Sequence, residues 1–143
     1  MNNQLAELGW REYVTIPELG ITGIKAKVDT GARTSCIHAF SVKTFERDQE
    51  VWVRFGVHPN QGDQVTELWC EALVSDYREV MDSGGHSEMR YVITSTLVIG
   101  DHVFDSELTL TNRDSMRFRM LLGRTAMKNR FFVNPGASYC QLK

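Results

Sequence analysis

Short extended segments follow one another along the whole chain, and several end at a glycine, proline, asparagine or aspartate. In residues 10–16, for example, large apolar and polar side chains alternate until Pro17. Alternation at period two is typical of strands with one buried face. Roughly eight to ten such strands are predicted, and the only convincing helix, of about two turns, covers Arg124–Phe131. The sequence therefore predicts an all-β sandwich or barrel with one short C-terminal helix.

One predicted strand ends at an acid, a hydroxyl and a glycine. Ile24, Ala26 and Val28 alternate along residues 21–28, and Asp29-Thr30-Gly31 follows. An aspartate at the point where a strand turns can be held rigidly and half-buried, facing a cleft, where it can serve as a catalytic acid or base. The alternative interpretation is an Asx-type turn that only closes the strand.

The composition is that of an ordinary globular domain. The chain has 143 residues, of which 42% are hydrophobic and 24% charged, and its formal net charge of −2 does not favour a nucleic-acid partner. No apolar run approaches the ~20 residues that span a bilayer, and residues 1–9 lack the features of a signal peptide. Three widely spaced cysteines do not predict a disulfide framework, so we expect a cytoplasmic protein. We expect a flexible lead-in at residues 1–9 and a single domain over residues 10–143.

Three further segments give local predictions. Residues 40–48 are mixed and polar, which favours a turn or one helical turn, and residues 138–143 favour a final short strand. Residues 78–93 contain two extended arms around a polar, glycine-rich tip. That pattern predicts a long hairpin with a mobile tip.

Motifs in three parts of the chain resemble those of retropepsin-like aspartic peptidases. Asp29-Thr30-Gly31-Ala32 follows a strand, a glycine-tipped hairpin lies in the middle, and Leu121-Leu122-Gly123-Arg124 opens a helix near the end. In that family the apolar-apolar-Gly element packs behind the catalytic loop. Residues 25–35 and the closing Phe132-Val133-Asn134-Pro135 make residues 10–141 similar to the bacterial family labelled "ATP-dependent zinc protease".

This resemblance implies a closed, barrel-like acid-protease fold and a peptidase that uses two aspartates sharing one proton. The ionised carboxylate takes a proton from water, and the protonated one polarises the scissile carbonyl. Because the chain contains one Asp-Thr-Gly, a symmetric homodimer with Asp29 from each subunit is implied. Thr30 would hydrogen-bond across the axis, and Gly31 would leave room for water and substrate. The residues expected to support the site are Ala32, Leu121, Leu122 and Gly123.

The resemblance also implies a flap that closes over the substrate, made of Met81, Asp82, Ser83, Gly84, Gly85 and His86. Guanidinium groups bind carboxylates bidentately. An acidic substrate is therefore favoured by four arginines expected near the site, namely Arg33, Arg78, Arg90 and Arg124. Family relatives accompany a glutamate ligase, which implies an oligoglutamate or glutamylated protein tail as substrate. Alternatively the hairpin tip is only a solvated turn, and the arginines pair with Asp82, Glu88 or Asp114.

The sequence supports neither the metal nor the nucleotide in the family label. The histidines are scattered, without a His-Glu-x-x-His helix or a Cys-x-x-Cys pair, at His38, His58, His86 and His102. The chain also lacks a Gly-x-x-x-x-Gly-Lys-[Ser/Thr] loop, so we expect no cofactor. Three hypotheses remain: an aspartic peptidase, a non-catalytic acidic-peptide-binding module working with a glutamate ligase, and a zinc-dependent hydrolase. In a monomer, Asp105 and Asp114 would be the first candidates for the second carboxylate.

Overall fold

The computed structural model describes residues 4–81, 84–112 and 117–142, and within these ranges the chain is nearly all β. A 3₁₀ turn covers Pro17–Leu19, and the one α-helix, α1, covers Arg124–Met127. None of the described helices is long and apolar enough to cross a membrane. The strands are β1 (Ala6–Leu8), β2 (Arg11–Ile16), β3 (Ile21–Val28), β4 (Ser35–His38), β5 (Ser41–Arg47), β6 (Glu50–Val57), β7 (Leu68–Leu73), β8 (Asp76–Met81), β9 (Ser87–Ile99), β10 (His102–Thr111), β11 (Met120–Leu122) and β12 (Phe131–Val133).

Six of these strands close into a barrel. Their spatial order is β10, β4, β11, β3, β2 and β9, and antiparallel pairing of β9 with β10 completes the ring. The strand β8 continues the sheet beyond β9. Every second residue of the barrel strands points inward, and the interior is filled by fully buried aliphatic side chains such as Ile24, Ile37, Ile93, Leu108 and Met120. Burial of each contributes roughly 1.5–3 kcal/mol, and the predicted all-β, barrel-like architecture is confirmed.

A separate three-stranded sheet, β5-β6-β7, contains a segment whose predicted secondary structure was wrong. Residues 40–48 were predicted as a turn or one helical turn, but Ser41–Arg47 forms β5 and pairs with β6 along seven residues. Asp48 and Gln49 both have positive φ, at 53° and 66°, as in a two-residue hairpin turn. The conformation of β5 depends on its pairing with β6. The sequence pattern of residues 40–48 alone does not reveal that partner.

The described N-terminal residues are tied to the end of the chain. Residues 6–8, expected in the flexible lead-in, instead form β1 and pair in parallel with β12. Leu8 is fully buried within the core, so apolar burial anchors a segment that looks polar in sequence. The helix α1 is shorter than predicted, because Asn129 adopts a positive φ of 66° and the chain resumes as β12 at Phe131.

The C-terminal segment is held by a buried carboxylate rather than by strand pairing. Residues 138–142 form no strand, contrary to the prediction, and Lys143 lies outside the described residues. Glu12, which is 1% exposed, accepts hydrogen bonds from the backbone N–H groups of Gly9, Cys140 and Gln141 at 2.7, 2.8 and 3.1 Å. One side chain therefore supplies the acceptors that a neighbouring strand would otherwise provide.

Candidate active site

Asp29 lies directly after β3, at the end of the barrel where the parallel strand β11 also ends. Its backbone N–H donates a 2.9 Å hydrogen bond to the carbonyl oxygen of Leu122, and its own carbonyl accepts one from Ala32 at 3.2 Å. Its Oδ1 accepts a 2.9 Å bond from the N–H of Gly31. These bonds hold a half-buried carboxylate in one orientation at the rim of the barrel.

The bond from Gly31 is the Asx-turn geometry of the alternative interpretation. It occupies one acceptor position of a carboxylate that has about four, so the turn does not prevent Asp29 from also binding water. A Cβ at residue 31 would lie 3.2 Å from Oδ1 of Asp29. Glycine at this position therefore keeps the approach to the carboxylate open.

The junction between β11 and α1 packs directly behind the Asp29 loop. The N–H of Gly123 donates to the hydroxyl of Ser35 at 2.9 Å, and the N–H of Arg124 donates to the carbonyl of Ala32 at 2.8 Å. Leu122 is buried in the core, whereas Leu121 is half-buried. The structure thus brings the two sequence motifs together.

Thr30 is exposed at the tip of the loop, and its carbonyl oxygen accepts a 3.0 Å bond from Arg124. Beside it lies an apolar cavity of about 390 Å³, which Met127 and Phe132 help to line. Phe132 is 48% exposed. We call this region, lined by Thr30, Arg124, Met127, Lys128, Phe131, Phe132 and Val133, the Thr30 surface.

Arg78 is engaged by acidic groups of this chain. Its guanidinium contacts both carboxylate oxygens of Glu107, at 2.8 and 3.3 Å, and Asp76 at 3.1 Å. It also reaches the hydroxyl of Thr34 at 3.4 Å, next to the Asp29 loop. The hydrogen bond from Arg78 lowers the pKa of Glu107, and the same bond raises the pKa of Arg78. Arg78 therefore links β8 to the barrel.

Arg90 is 6% exposed and pairs with Glu88, Nε to Oε1, at 2.6 Å. Glu88 also accepts a 2.6 Å bond from the hydroxyl of Thr111. Burial raises the pKa of Glu88, but the bonds from Thr111 and Arg90 outweigh it and the pKa is lowered. The pairing with Glu88 is the one that the alternative interpretation named. Arg33 and Arg124, by contrast, are exposed beside the Asp29 loop.

The predicted hairpin over the site is formed by β8 and β9, which pair from Asp76–Val92 to Met81–Ser87. Met81 is 68% exposed at its end, and Gly84, Gly85 and His86 are also exposed. Asp82 and Ser83 of the predicted flap lie outside the described residues. The role of this hairpin as a flap that closes over a substrate remains a prediction.

The two fallback acids give no second carboxylate beside Asp29 among the described residues. Asp105 is exposed, accepts a 2.7 Å bond from the hydroxyl of Thr96, and lies about 10 Å along β10 from the pairing of Leu108 with Ser35. Asp114 lies outside the described residues. Within the ranges that the structure covers, no three His, Cys, Asp or Glu side chains are grouped to hold a metal ion.

Sequence reasoning missed a buried polar residue next to β11. Arg119 is 6% exposed and immediately precedes Met120, whose side chain is in the barrel core. The available signal was a charged residue inside the short apolar run from Phe118 to Leu122. His38, one of the scattered histidines, is in β4 and 2% exposed.

Comparison with known proteins finds a matching family model and several similar proteins. Residues 7–143 match a family model described as RimB-like, retropepsin-like aspartic endopeptidase RimB. Proteins named "Probable alpha-L-glutamate ligase" from Shewanella halifaxensis and Shewanella pealeana are each 50% identical over 133 residues, which is 93% of this chain and 29% of theirs. The protein of that name from Desulfotalea psychrophila is 50% identical over 135 residues, 94% of this chain and 29% of its own. The chain thus spans less than a third of these relatives.

A solved structure shows the same fold. The crystal structure of a Legionella pneumophila protein of unknown function superposes with a TM-score of 0.78 and covers 96% of this chain and 99% of that one. The two sequences are 24% identical, so the likeness concerns the fold.

Proposed function

The chain belongs to the RimB-like family of retropepsin-like aspartic endopeptidases, and from this premise we propose that it is an aspartic-type peptidase acting on acidic or glutamate-rich peptide tails. The observation that supports the proposal most directly is the Asp29 loop. Its carboxylate is half-buried, fixed by the N–H of Gly31, and backed by the packed Gly123 junction.

In the proposed reaction two Asp29 carboxylates share one proton. The ionised one takes a proton from a water molecule, whose oxygen attacks the scissile carbonyl carbon. The protonated one donates a hydrogen bond to the carbonyl oxygen and stabilises the negative charge that develops there. The proton that the ionised Asp29 took from water then passes to the amide nitrogen as the C–N bond breaks, so hydrolysis is complete and the two carboxylates again share one proton.

The second carboxylate comes from another copy of the chain in this proposal. Thr30 is exposed beside Asp29, and the Thr30 surface next to it is apolar. Among the described strands, β12 pairs only with β1, so its other edge has no strand partner there. A two-fold axis through this region would bring the same acid to the centre from both copies.

An acidic substrate is supported by the charges that remain available at the loop. Arg33 and Arg124 are exposed there, and arginine binds carboxylates bidentately. Arg78 and Arg90 support this proposal less strongly, because each is paired with an acid of the same chain. A cytoplasmic location is also part of the proposal, and a reducing compartment suits Cys36, Cys70 and Cys140, which form no disulfide with one another.

A second candidate is a non-catalytic module that binds acidic peptides and works with a glutamate ligase. It is favoured by the relatives named as glutamate ligases, in which a segment 50% identical to this chain makes up 29% of a longer protein. This candidate needs the acidic-peptide site but not the pair of Asp29 carboxylates.

The deciding experiment compares the wild type with Asp29→Asn on a synthetic peptide that ends in six glutamates. The peptidase proposal expects cleavage by the wild type, and binding without cleavage by Asp29→Asn. Asp105→Asn, which changes an exposed acid bonded to Thr96, is the matched control and should cleave normally. Binding without cleavage by the wild type would support the non-catalytic module, and loss of cleavage only on chelation would support a metal-dependent hydrolase.

A further inference from the structure

A second pocket lies on the outside of the barrel, away from the Asp29 loop. It has a volume of about 380 Å³ and is lined by His38, Phe40, His58, Gln64 and Arg119. We call it the Arg119 pocket. His38 ends β4, Arg119 precedes β11, and His58 and Gln64 belong to the loop between β6 and β7. None of these lining residues is acidic.

The position of Arg119 follows from strand alternation. Ile37 and Met120 point into the barrel core, so their neighbours His38 and Arg119 face the opposite side of the wall. The two residues are adjacent across the strands, since the N–H of His38 donates to the carbonyl of Arg119 at 2.9 Å. Both side chains are nonetheless more than nine-tenths buried, at 2% and 6% exposure.

Arg119 carries a donor that the described residues leave unused. Its Nε is buried and has no hydrogen-bond acceptor among them. A buried donor without an acceptor costs roughly 1–3 kcal/mol, and more when the group is charged. A ligand that brings a negatively charged acceptor into the pocket would remove that cost, which makes Arg119 the recognition group of the pocket.

The opposite wall consists of aromatic rings that pack against one another. The His58 ring stacks on Phe40 with centroids 4.4 Å apart, and the Phe40 ring meets Trp69 edge-on at 5.2 Å. Nδ1 of His58 lies 3.1 Å from the carbonyl oxygen of Thr66. Because a carbonyl oxygen only accepts, Nδ1 carries the proton in this hydrogen bond, and the bond fixes the orientation of the His58 ring. A fixed wall reduces the ordering cost of binding.

From these contacts we infer that the Arg119 pocket binds the carboxylate of an acidic side chain in an extended peptide. The Arg119 guanidinium and the Gln64 amide offer donors to one anionic group, and the pocket is too small for a large ligand. This inference rests on the proposed function and deepens it, because it assigns a place where an acidic tail is recognised. It adds a subsite that the arginines next to Asp29 do not supply.

The spacing between the pocket and the Asp29 loop suits such a peptide. Ser35, which bonds Gly123 behind the loop, and His38 are the first and last residues of β4, about 10 Å apart. An extended peptide covers the same distance in about three residues. The inference therefore places the recognised glutamate about three positions from the cleaved bond.

The test measures binding of hexaglutamate to the Asp29→Asn protein, which separates binding from cleavage. Replacing Arg119 by Gln should weaken binding about tenfold or more, since a charge-assisted hydrogen bond is lost, and His58→Gln should weaken it less. The matched control is Arg54→Gln, because Arg54 is exposed and lies over the Trp69 ring at 4.5 Å but does not line the pocket. It should bind within about twofold of the parent, as expected for an exposed charge.

A second readout needs no substitution in the pocket and so remains valid if Arg119→Gln does not fold. In nuclear magnetic resonance spectra, hexaglutamate should shift the Arg119 Nε–H resonance, whereas hexaglutamine should not. Unchanged affinity in both Arg119→Gln and His58→Gln, or an unmoved Nε–H resonance, overturns the inference. An equal shift with inorganic phosphate overturns its specificity for a carboxylate.

The two proposals fail in different ways. If the wild type cleaves the peptide but Arg119→Gln binds it normally, the pocket assignment is wrong and the peptidase proposal stands. If Arg119→Gln abolishes binding but the wild type cleaves nothing, the pocket assignment stands and the non-catalytic module replaces the peptidase.

Discussion

The N–H of Gly123 donates a 2.9 Å hydrogen bond to the hydroxyl of Ser35, and the two backbones approach so closely that a side chain at residue 123 has no room. A Cβ there would lie 2.6 Å from the carbonyl carbon of Thr34. This contact joins the β11–α1 junction to the start of β4. Because Asp29 donates to the adjacent Leu122, the same contact fixes the position of the candidate catalytic loop.

Gly123→Ala should therefore disturb the Asp29 loop. The new methyl group meets backbone atoms that cannot move independently, and overpacking of this kind costs ~1–3 kcal/mol. Chemical denaturation should show that loss, and cleavage of the glutamate peptide should fall at a temperature where the variant is still folded. Gly136→Ala is the control, since its Cβ would meet only Asn134 Oδ1 at an ordinary 3.5 Å. Equal stability of the two variants would contradict the packing argument.

The pairing of Arg78 with Glu107 predicts a pH dependence of stability. Because the pKa of Glu107 is lowered below its ordinary value of 4.5, its stabilising effect is complete above that value and is lost as the pH falls through the lowered pKa. Glu107→Gln should thus be less stable than the wild type at pH 7, by ~0.5–1 kcal/mol for a pair this exposed. The difference should shrink below about pH 4, which thermal unfolding at several pH values can measure.

Glu71→Gln distinguishes a local effect from a general one. Glu71 pairs with Arg47 at 3.0 Å and has the same 41% side-chain exposure as Glu107. Glu71→Gln should lower the free energy of unfolding by no more than Glu107→Gln does. Only Glu107→Gln should reduce peptide cleavage, because Arg78 also contacts Thr34 beside the Asp29 loop. Equal activity of both variants would argue against a link between β8 and the Asp29 loop.

The Thr30 surface should be the contact between two copies of the chain. Phe132→Glu places a charge at its apolar centre, so it should give a monomer and reduce cleavage while the barrel remains folded. Val51→Glu changes a residue of similar exposure, 47% against 48%, on the separate three-stranded sheet and serves as the control. Sedimentation over a concentration series measures the oligomeric state. Full activity of a monomeric Phe132→Glu protein would exclude an Asp29 pair.

The parts of the molecule that could be predicted from sequence are those encoded locally. The strands of the barrel alternate buried and exposed residues, and the Asp29 motif carries its own turn bond to Gly31. The strand β5 could not be predicted, because it owes its conformation to β6, and the pairing of Arg78 with Glu107 joins residues 29 positions apart. Arg90 and Glu88 are two residues apart on one face of a strand, so their pairing could be predicted from the sequence.

Glu12 gives a prediction about the chain ends. Its carboxylate accepts three backbone N–H groups, from Gly9, Cys140 and Gln141. In Glu12→Gln an NH₂ group replaces one acceptor oxygen, so at least one N–H loses its partner at a cost of ~1–3 kcal/mol. The free energy of unfolding should fall by this amount, and amide hydrogen exchange at Cys140 and Gln141 should accelerate before global unfolding.

Glu7→Gln is the matched control for this prediction. Glu7 is half-buried on β1 and accepts a 2.9 Å bond from the side chain of Asn134, a bond that the amide oxygen of Gln can still accept. Its exchange pattern at Cys140 and Gln141 should match that of the wild type. If Glu12→Gln left exchange at these two amides unchanged, the tail would be held by contacts other than the buried carboxylate, and its missing strand would need another explanation.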